Sequence, residues 1–170
     1  MSASTNAIAA RAWEILAGVA DPEIPVVSVV DLGIVREVRA EGAALEITVT
    51  PTYSGCPATQ VIEASIRRAL ADAGLDATVR TSLAPAWTTD WLTAAGREKL
   101  TRFGIAPPGA RATGSPMVPI RFVRTAPATV ACPHCDSTDT ERLAEFGSTA
   151  CKALYRCRAC REPFDYFKPL

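Results

Sequence analysis

The chain has 170 residues, 48% of them hydrophobic, enough to bury a core in one domain or in two small ones. Eighteen Lys and Arg balance eighteen Asp and Glu, which removes the global electrostatic case for a nucleic-acid or anionic-membrane partner. Met1 to Ala12 lacks the basic start and apolar run of a secretory signal, and no apolar run approaches the roughly 18 residues of a membrane span. A cytoplasmic protein is therefore expected, in which six cysteines serve better as metal ligands or reactive thiols than as disulfides.

Ile8, Ala12, Ile15, Leu16 and Val19 recur at helical spacing, so an amphipathic helix is expected to open the chain and end between Gly18 and Asp21. The stretch DPEIPVVSVVDLGIV follows, with two prolines that break regular structure and three carboxylates, Asp21, Glu23 and Asp31. These either cap turns and face water or belong to a site. Ile34–Arg39 and Ala44–Thr50 predict a hairpin turning at Glu41-Gly42, with Leu45, Ile47 and Val49 alternating against Glu46 and Thr48.

After PTYSGCP, the residues Ile62, Ile66, Ala69, Leu70 and Ala73 predict a second helix closed by Gly74. Pro57 suits its first turn, which would put Cys56 at or beside the N-cap. A third strand is expected over Ala77–Leu83, and a third helix capped by Thr89 or Asp90, carrying Leu92, Gly96, Leu100 and Phe103 and stopped by Gly104. Trp87 and Trp91 flank that junction, as core or lid packing in preference to a ligand platform. The pattern implies an α+β domain, a small mixed sheet with helices on one side, over residues 1–106.

Residues 107–128 hold five prolines and two glycines, the composition of a stiff connector, in which only Ile120–Arg124 resembles a strand. Its Arg111, Arg121 and Arg124 supply the basic excess of the C-terminal part, because residues 129–170 hold six basic and six acidic side chains. In that last segment Cys132-Pro133-His134-Cys135 and Cys157-Arg158-Ala159-Cys160 form two CxxC pairs separated by 21 residues. Each CxxC turn presents two sulfurs to one ion, and the residues between can run out and back as a hairpin, with strands expected at Glu141–Phe146, Ala153–Arg156 and Phe164–Phe167.

The expected module is a four-cysteine zinc ribbon whose thiolates close the coordination shell, so that it folds the segment without performing chemistry. Iron is the rival metal for an all-sulfur set. Cys151 lies outside both pairs and reads as a buried small side chain or an auxiliary thiol. Cys56 is the cysteine placed for chemistry: at a helix N-terminus, peptide dipoles would lower its pKa and ready it for a metal or electrophile. A Cys-His pair is disfavoured, because the single histidine, His134, sits inside the ribbon turn.

DPEIPVVSVVDLGIV together with TPTYSGCP resembles the metal-sulfur cluster assembly factors, the SufT-like family, over about residues 8–105. Joined to such a domain, CPHCDSTDTERLAEFGSTACKALYRCRACREPFDYFK resembles the D-protein family of phenylacetate degradation. That resemblance implies an accessory, non-catalytic role beside the multicomponent phenylacetyl-CoA epoxidase, whose oxygenase and iron-sulfur reductase would be the partners. It also implies help in maturing iron-sulfur or di-iron centres. Asp21 and Glu23 match the family's acidic motif, Cys56 its signature cysteine, and Cys132, Cys135, Cys157 and Cys160 its ribbon ligands. Relatives often end in FDYFKC where Pro169-Leu170 stands here, so six cysteines are expected to suffice. Structural zinc, transient iron or an iron-sulfur cluster, and self-association are the further expectations. A non-catalytic scaffold and a nucleic-acid-binding ribbon are the competing readings, the second weakened by the ribbon's neutrality.

Overall fold

The computed structural model describes residues 3–42, 44–109 and 129–169, which form two compact units, Met1–Phe103 and Gly104–Pro169. The connector arginines and the expected strand at 120–124 lie outside the described residues.

In the first unit α1 (Ala3–Leu16) is followed by a long loop, the hairpin β1 (Val35–Glu41) and β2 (Ala44–Val49), then α2 (Thr59–Asp72) and β3 (Asp76–Thr81). β1 pairs antiparallel with β2, and β2 pairs parallel with β3 in the order β1-β2-β3. Alternation in β2 turns Leu45, Ile47 and Val49 inward, where they are buried with Ala12 and Leu16 of α1 and Ile62, Ile66 and Leu70 of α2. The opposite face carries Glu46, paired with Arg80. The hairpin and the second helix thus follow the periodicity of their residues.

The third helix departs from expectation. Thr89 and Asp90 fall in a single 3-10 turn, Thr89–Trp91, capped by Thr88, and α3 (Ala94–Arg102) begins later, with Thr93 accepting the Gly96 N–H at 2.9 Å. The caps are Thr88 and Thr93 in place of Thr89 or Asp90, and the loop from Asp21 to Gly33 packs against this junction. A Cβ at Gly33 would lie 2.3 Å from the Trp91 carbonyl oxygen, and one at Gly96 would lie 2.8 Å from that of Asp31, so this loop and the start of α3 meet through two glycines. Phe103 is 54% exposed instead of joining the apolar face. Trp87 is buried and donates from Nε1 to the Leu32 carbonyl at 2.9 Å, while the Arg36 guanidinium stacks 3.4 Å from the Trp91 ring centre.

Asp31 is the polar centre of this packing. Its Oδ2 accepts the Ser28 N–H and hydroxyl, each at 2.9 Å, and meets Lys99 Nζ at 2.5 Å. Burial raises the carboxyl pKa, but the Lys99 ammonium and the Ser28 donors outweigh it and hold the group below its ordinary value. Asp21 is likewise buried, its Oδ1 accepting the N–H groups of Glu23 and Ile24 at 2.9 Å. Two of the three loop carboxylates therefore cap turns, but turned inward instead of toward water.

In the second unit Gly104, at φ +86°, ends the helix and turns the chain into β4 (Ile105–Ala106). Ile105 and Ala106, which the sequence puts at the close of the first domain, pair with Asp165 and Tyr166 of β7 (Pro163–Phe167). With β5 (Thr140–Ala144) and β6 (Lys152–Cys157) the sheet runs β4-β7-β6-β5. Its core is small: Ala106, Val130, Ala153, Tyr155, Phe164 and Tyr166 pack with Cys132 and Cys157. Lys152 is buried and paired with Asp165 at 3.0 Å.

Replacing Asp31 with Ala should cost about 2–3 kcal/mol, the penalty for stranding buried donors, read by denaturant unfolding of Trp13, Trp87 and Trp91 fluorescence. Because the folded pKa is lowered, the Asp31 contribution is complete above about pH 4. It should fade as acid protonates the folded carboxyl, so the gap between wild type and Asp31→Asn should close at low pH.

Candidate metal centre and thiol site

The two CxxC turns are built alike. In the first, the Cys132 N–H donates to the Ser137 carbonyl and the Asp136 N–H to the Cys132 carbonyl, both at 2.9 Å; in the second, the Cys157 N–H donates to the Glu162 carbonyl at 3.0 Å. The residue after each pair is left-handed, Asp136 at φ 59° and Arg161 at φ 67°. The His134 N–H points at the Cys132 sulfur at 3.4 Å, and the Cys160 N–H at the Cys157 sulfur at 3.5 Å.

All four sulfurs, Cys132, Cys135, Cys157 and Cys160, lie within 4.8 Å of one another. The pairs Cys132–Cys160 and Cys135–Cys157 are 3.7 and 3.6 Å apart. Tetrahedral zinc with Zn–S bonds of about 2.3 Å needs sulfurs about 3.8 Å apart, so the donor set fits that ion in both chemistry and spacing. The Cys157 thiol is pulled down to about 6, first by the Cys160 N–H, which offers a metal a thiolate at neutral pH. When bound, zinc supplies a closed cross-link between the turns. His134 stays outside the group, its ring against Gly104, where a Cβ would come within 3.0 Å of its Cε1. Cys151 is also outside, buried at the start of β6 with its sulfur 3.1 Å from Thr149 Oγ1.

Cys56 lies in the loop between β2 and α2. The parallel pairing of β2 with β3 places this loop beyond the C-terminal ends of both strands, where Asp21 and Glu23 also act on the thiol. The N-cap position of α2 is Ala58, so Cys56 and Pro57 precede the helix instead of starting it. The Cys56 carbonyl accepts from Thr59 Oγ1 at 2.9 Å and the Thr59 N–H at 3.2 Å, and the Cys56 N–H donates to the Tyr53 carbonyl at 3.0 Å. The expected lowering of the thiol pKa is overturned. Burial raises it, the Ala58 N–H opposes this, and the charges of Glu23 and Asp21 add to the rise. At neutral pH Cys56 is therefore a thiol, held so by burial and by the charges of two carboxylates.

Thr59 and the ribbon arginines were not singled out from the sequence. Thr59 could have been read from the Cys-Pro-x-Thr spacing, and the arginines from their interleaving in CRACR.

An assembly-type α+β domain carrying a loop cysteine near two carboxylates, and a four-cysteine β-ribbon, define the class. Residues 9–81 match the iron-sulfur cluster assembly protein family, and residues 118–168 match the PaaD zinc beta ribbon domain. The chain is 48% identical over 157 residues to an Escherichia coli (strain K12) protein named as a subunit of a "Putative 1,2-phenylacetyl-CoA epoxidase", covering 92% of this chain and 90% of the relative. A Bacillus anthracis crystal structure of a domain of unknown function, DUF59, superposes with a TM-score of 0.54 at 27% identity, covering 57% of this chain and 94% of that one. The chain belongs to the PaaD family. Among the described residues no helix is long and apolar enough to cross a membrane.

The purified protein should contain about one zinc per chain, and Cys157→Ser should lose it, as elemental analysis would show. Alkylation of Cys56, mapped by mass spectrometry, should be slow at pH 7 and rise with the thiolate fraction in alkali. Asp21→Asn or Glu23→Gln should accelerate it about threefold at pH 8 by removing one repelling charge.

Proposed function

We propose that this protein is an accessory factor of aerobic phenylacetate degradation, acting in the cytoplasm on the metal centres of a phenylacetyl-CoA epoxidase, and not itself the oxygenase. The observation that carries this reading is the Cys56 thiol under the charges of Asp21 and Glu23, in a domain matching the iron-sulfur cluster assembly family. The relative's name supports the pathway and the association with epoxidase components.

In this reading Cys56 holds iron or an iron-sulfur cluster in transit, as cargo. Asp21 and Glu23 attract the cation, whose charge promotes departure of the thiol proton. The zinc ribbon of residues 129–170 is a rigid docking module for the oxygenase or the reductase, joined by residues 107–128, and Cys151 packs within it. A plain scaffold is the second reading, favoured by the relative's being named as a subunit.

Anaerobic reconstitution with ferrous iron and sulfide separates the two. Under the cargo reading Cys56→Ser should lose most of the iron bound beyond zinc and should fail to restore epoxidase activity to cells lacking the protein. Equal uptake and equal rescue by the variant would refute it in favour of the scaffold.

A further inference from the structure

The ribbon carries arginines where the second CxxC turn meets solvent. Among the described residues a cleft of about 370 Å³ is lined by Arg156, Cys157, Arg158 and Arg161. Both Arg156 and Arg158 reach Glu141, one to each carboxylate oxygen, and Arg158 also lies 3.7 Å from Asp139. Arg161 makes no ion pair among the described residues. Its left-handed backbone, at φ 67°, is set by the turn it closes directly after Cys160.

Three guanidiniums around an open cleft first suggest a pocket for a phosphate or carboxylate. Charge balance argues otherwise. One zinc dication and four thiolates leave the loaded site a dianion, and Cys157 forms the cleft's wall. Glu141 and Asp139 take up further positive charge, so the guanidiniums have no surplus to offer a second anion.

We propose that Arg156, Arg158 and Arg161 are the counter-charge of the zinc tetrathiolate, and that they guard it against exchange with other dications. Exchange requires an incoming cation to approach the dianion before zinc leaves; one dication enters, the other departs, and the four thiolates are unchanged. Each positive charge on the approach path offsets part of the dianion's attraction and so lowers the concentration of cations there relative to a path without it. The sign of the surrounding charge is opposite to that at Cys56, where the carboxylates of Asp21 and Glu23 act on the thiol. The protein would thus keep its structural metal while a second metal passes close to other thiols of the same chain. The inference does not depend on iron binding by Cys56.

The test is cadmium challenge of the full-length, zinc-loaded chain in a Cys56→Ser background, so that the ribbon alone reports. Growth of the cadmium-thiolate ultraviolet absorption gives the rate. At low ionic strength Arg161→Gln should exchange about three- to tenfold faster, the size of one nearby charge acting on a dianion across a wet surface. Arg161→Lys, which shares the backbone constraint and keeps the charge, should exchange at the parent rate. The Gln effect should shrink as salt is raised to about 1 M, where the screening length falls to about 3 Å. Parent-like exchange by Arg161→Gln at low salt would overturn the proposal. So would an acceleration that salt leaves untouched, or one that Arg161→Lys shares, since either would mean a loosened turn and not a lost charge.

Discussion

Four sulfurs drawn within 4.8 Å of one another are a liability without a cation. As thiolates they repel, and as thiols they are weak donors with little reason to converge. A dication changes the sign of every one of those terms, and much else in the second unit follows from it. Among the described residues the ribbon's core cluster is built largely from small side chains and two of the ligands themselves, Cys132 and Cys157, so the metal carries much of what apolar burial does in a larger domain. The left-handed residues Asp136 and Arg161 each cost some backbone energy, justified because they close the turns that aim two N–H groups at ligand sulfurs. β5, β6 and β7 are as much a frame for these turns as a fold in their own right.

The first unit solves a different problem. Its sheet and helices bury an ordinary apolar core, while Asp21, Glu23 and Cys56 lie outside its strands and helices, in irregular backbone that must be held still. Buried carboxylates do this: Asp21 ties down residues 23 and 24, while Asp31 ties Ser28 to Lys99 on α3. The loop's acidity is thus divided. Asp31 is fully occupied with structure, whereas Asp21 both shapes its turn and acts electrostatically on Cys56 together with Glu23.

What was legible in the sequence was local. The CxxC spacing, the alternation of Leu45, Ile47 and Val49, and the helical recurrence of Ile62, Ile66 and Leu70 each record one repeating geometry, and each element formed where its pattern lies. The parallel pairing of β2 with β3, the two-residue β4, and the contact of Asp31 with Lys99 across 68 positions leave no periodic trace. The start of α3, capped by Thr93 in place of Thr89 or Asp90, goes with the close approach of a distant loop at Asp31 and Gly96. The acidity of Cys56 was misjudged for the same reason. A helix-start cysteine suggests a low pKa from local geometry, but the helix begins later, and burial and the two carboxylates, some thirty residues upstream, have the larger say.

The two cysteine environments also differ in what they permit. A tetrathiolate with all its sulfurs engaged has no open position for a ligand, so its function ends with the shape it imposes. Cys56 is half-buried, protonated at neutral pH and flanked by oxygen donors of negative charge. A thiolate always ready would bind soft metals tightly and release them slowly. A thiol that ionises only as a cation arrives couples binding to proton loss, so affinity falls when the proton returns. Reversibility of that kind is what the proposed passing-on of a metal requires, and it follows from the raised pKa, which a nucleophilic role for Cys56 would have found unfavourable.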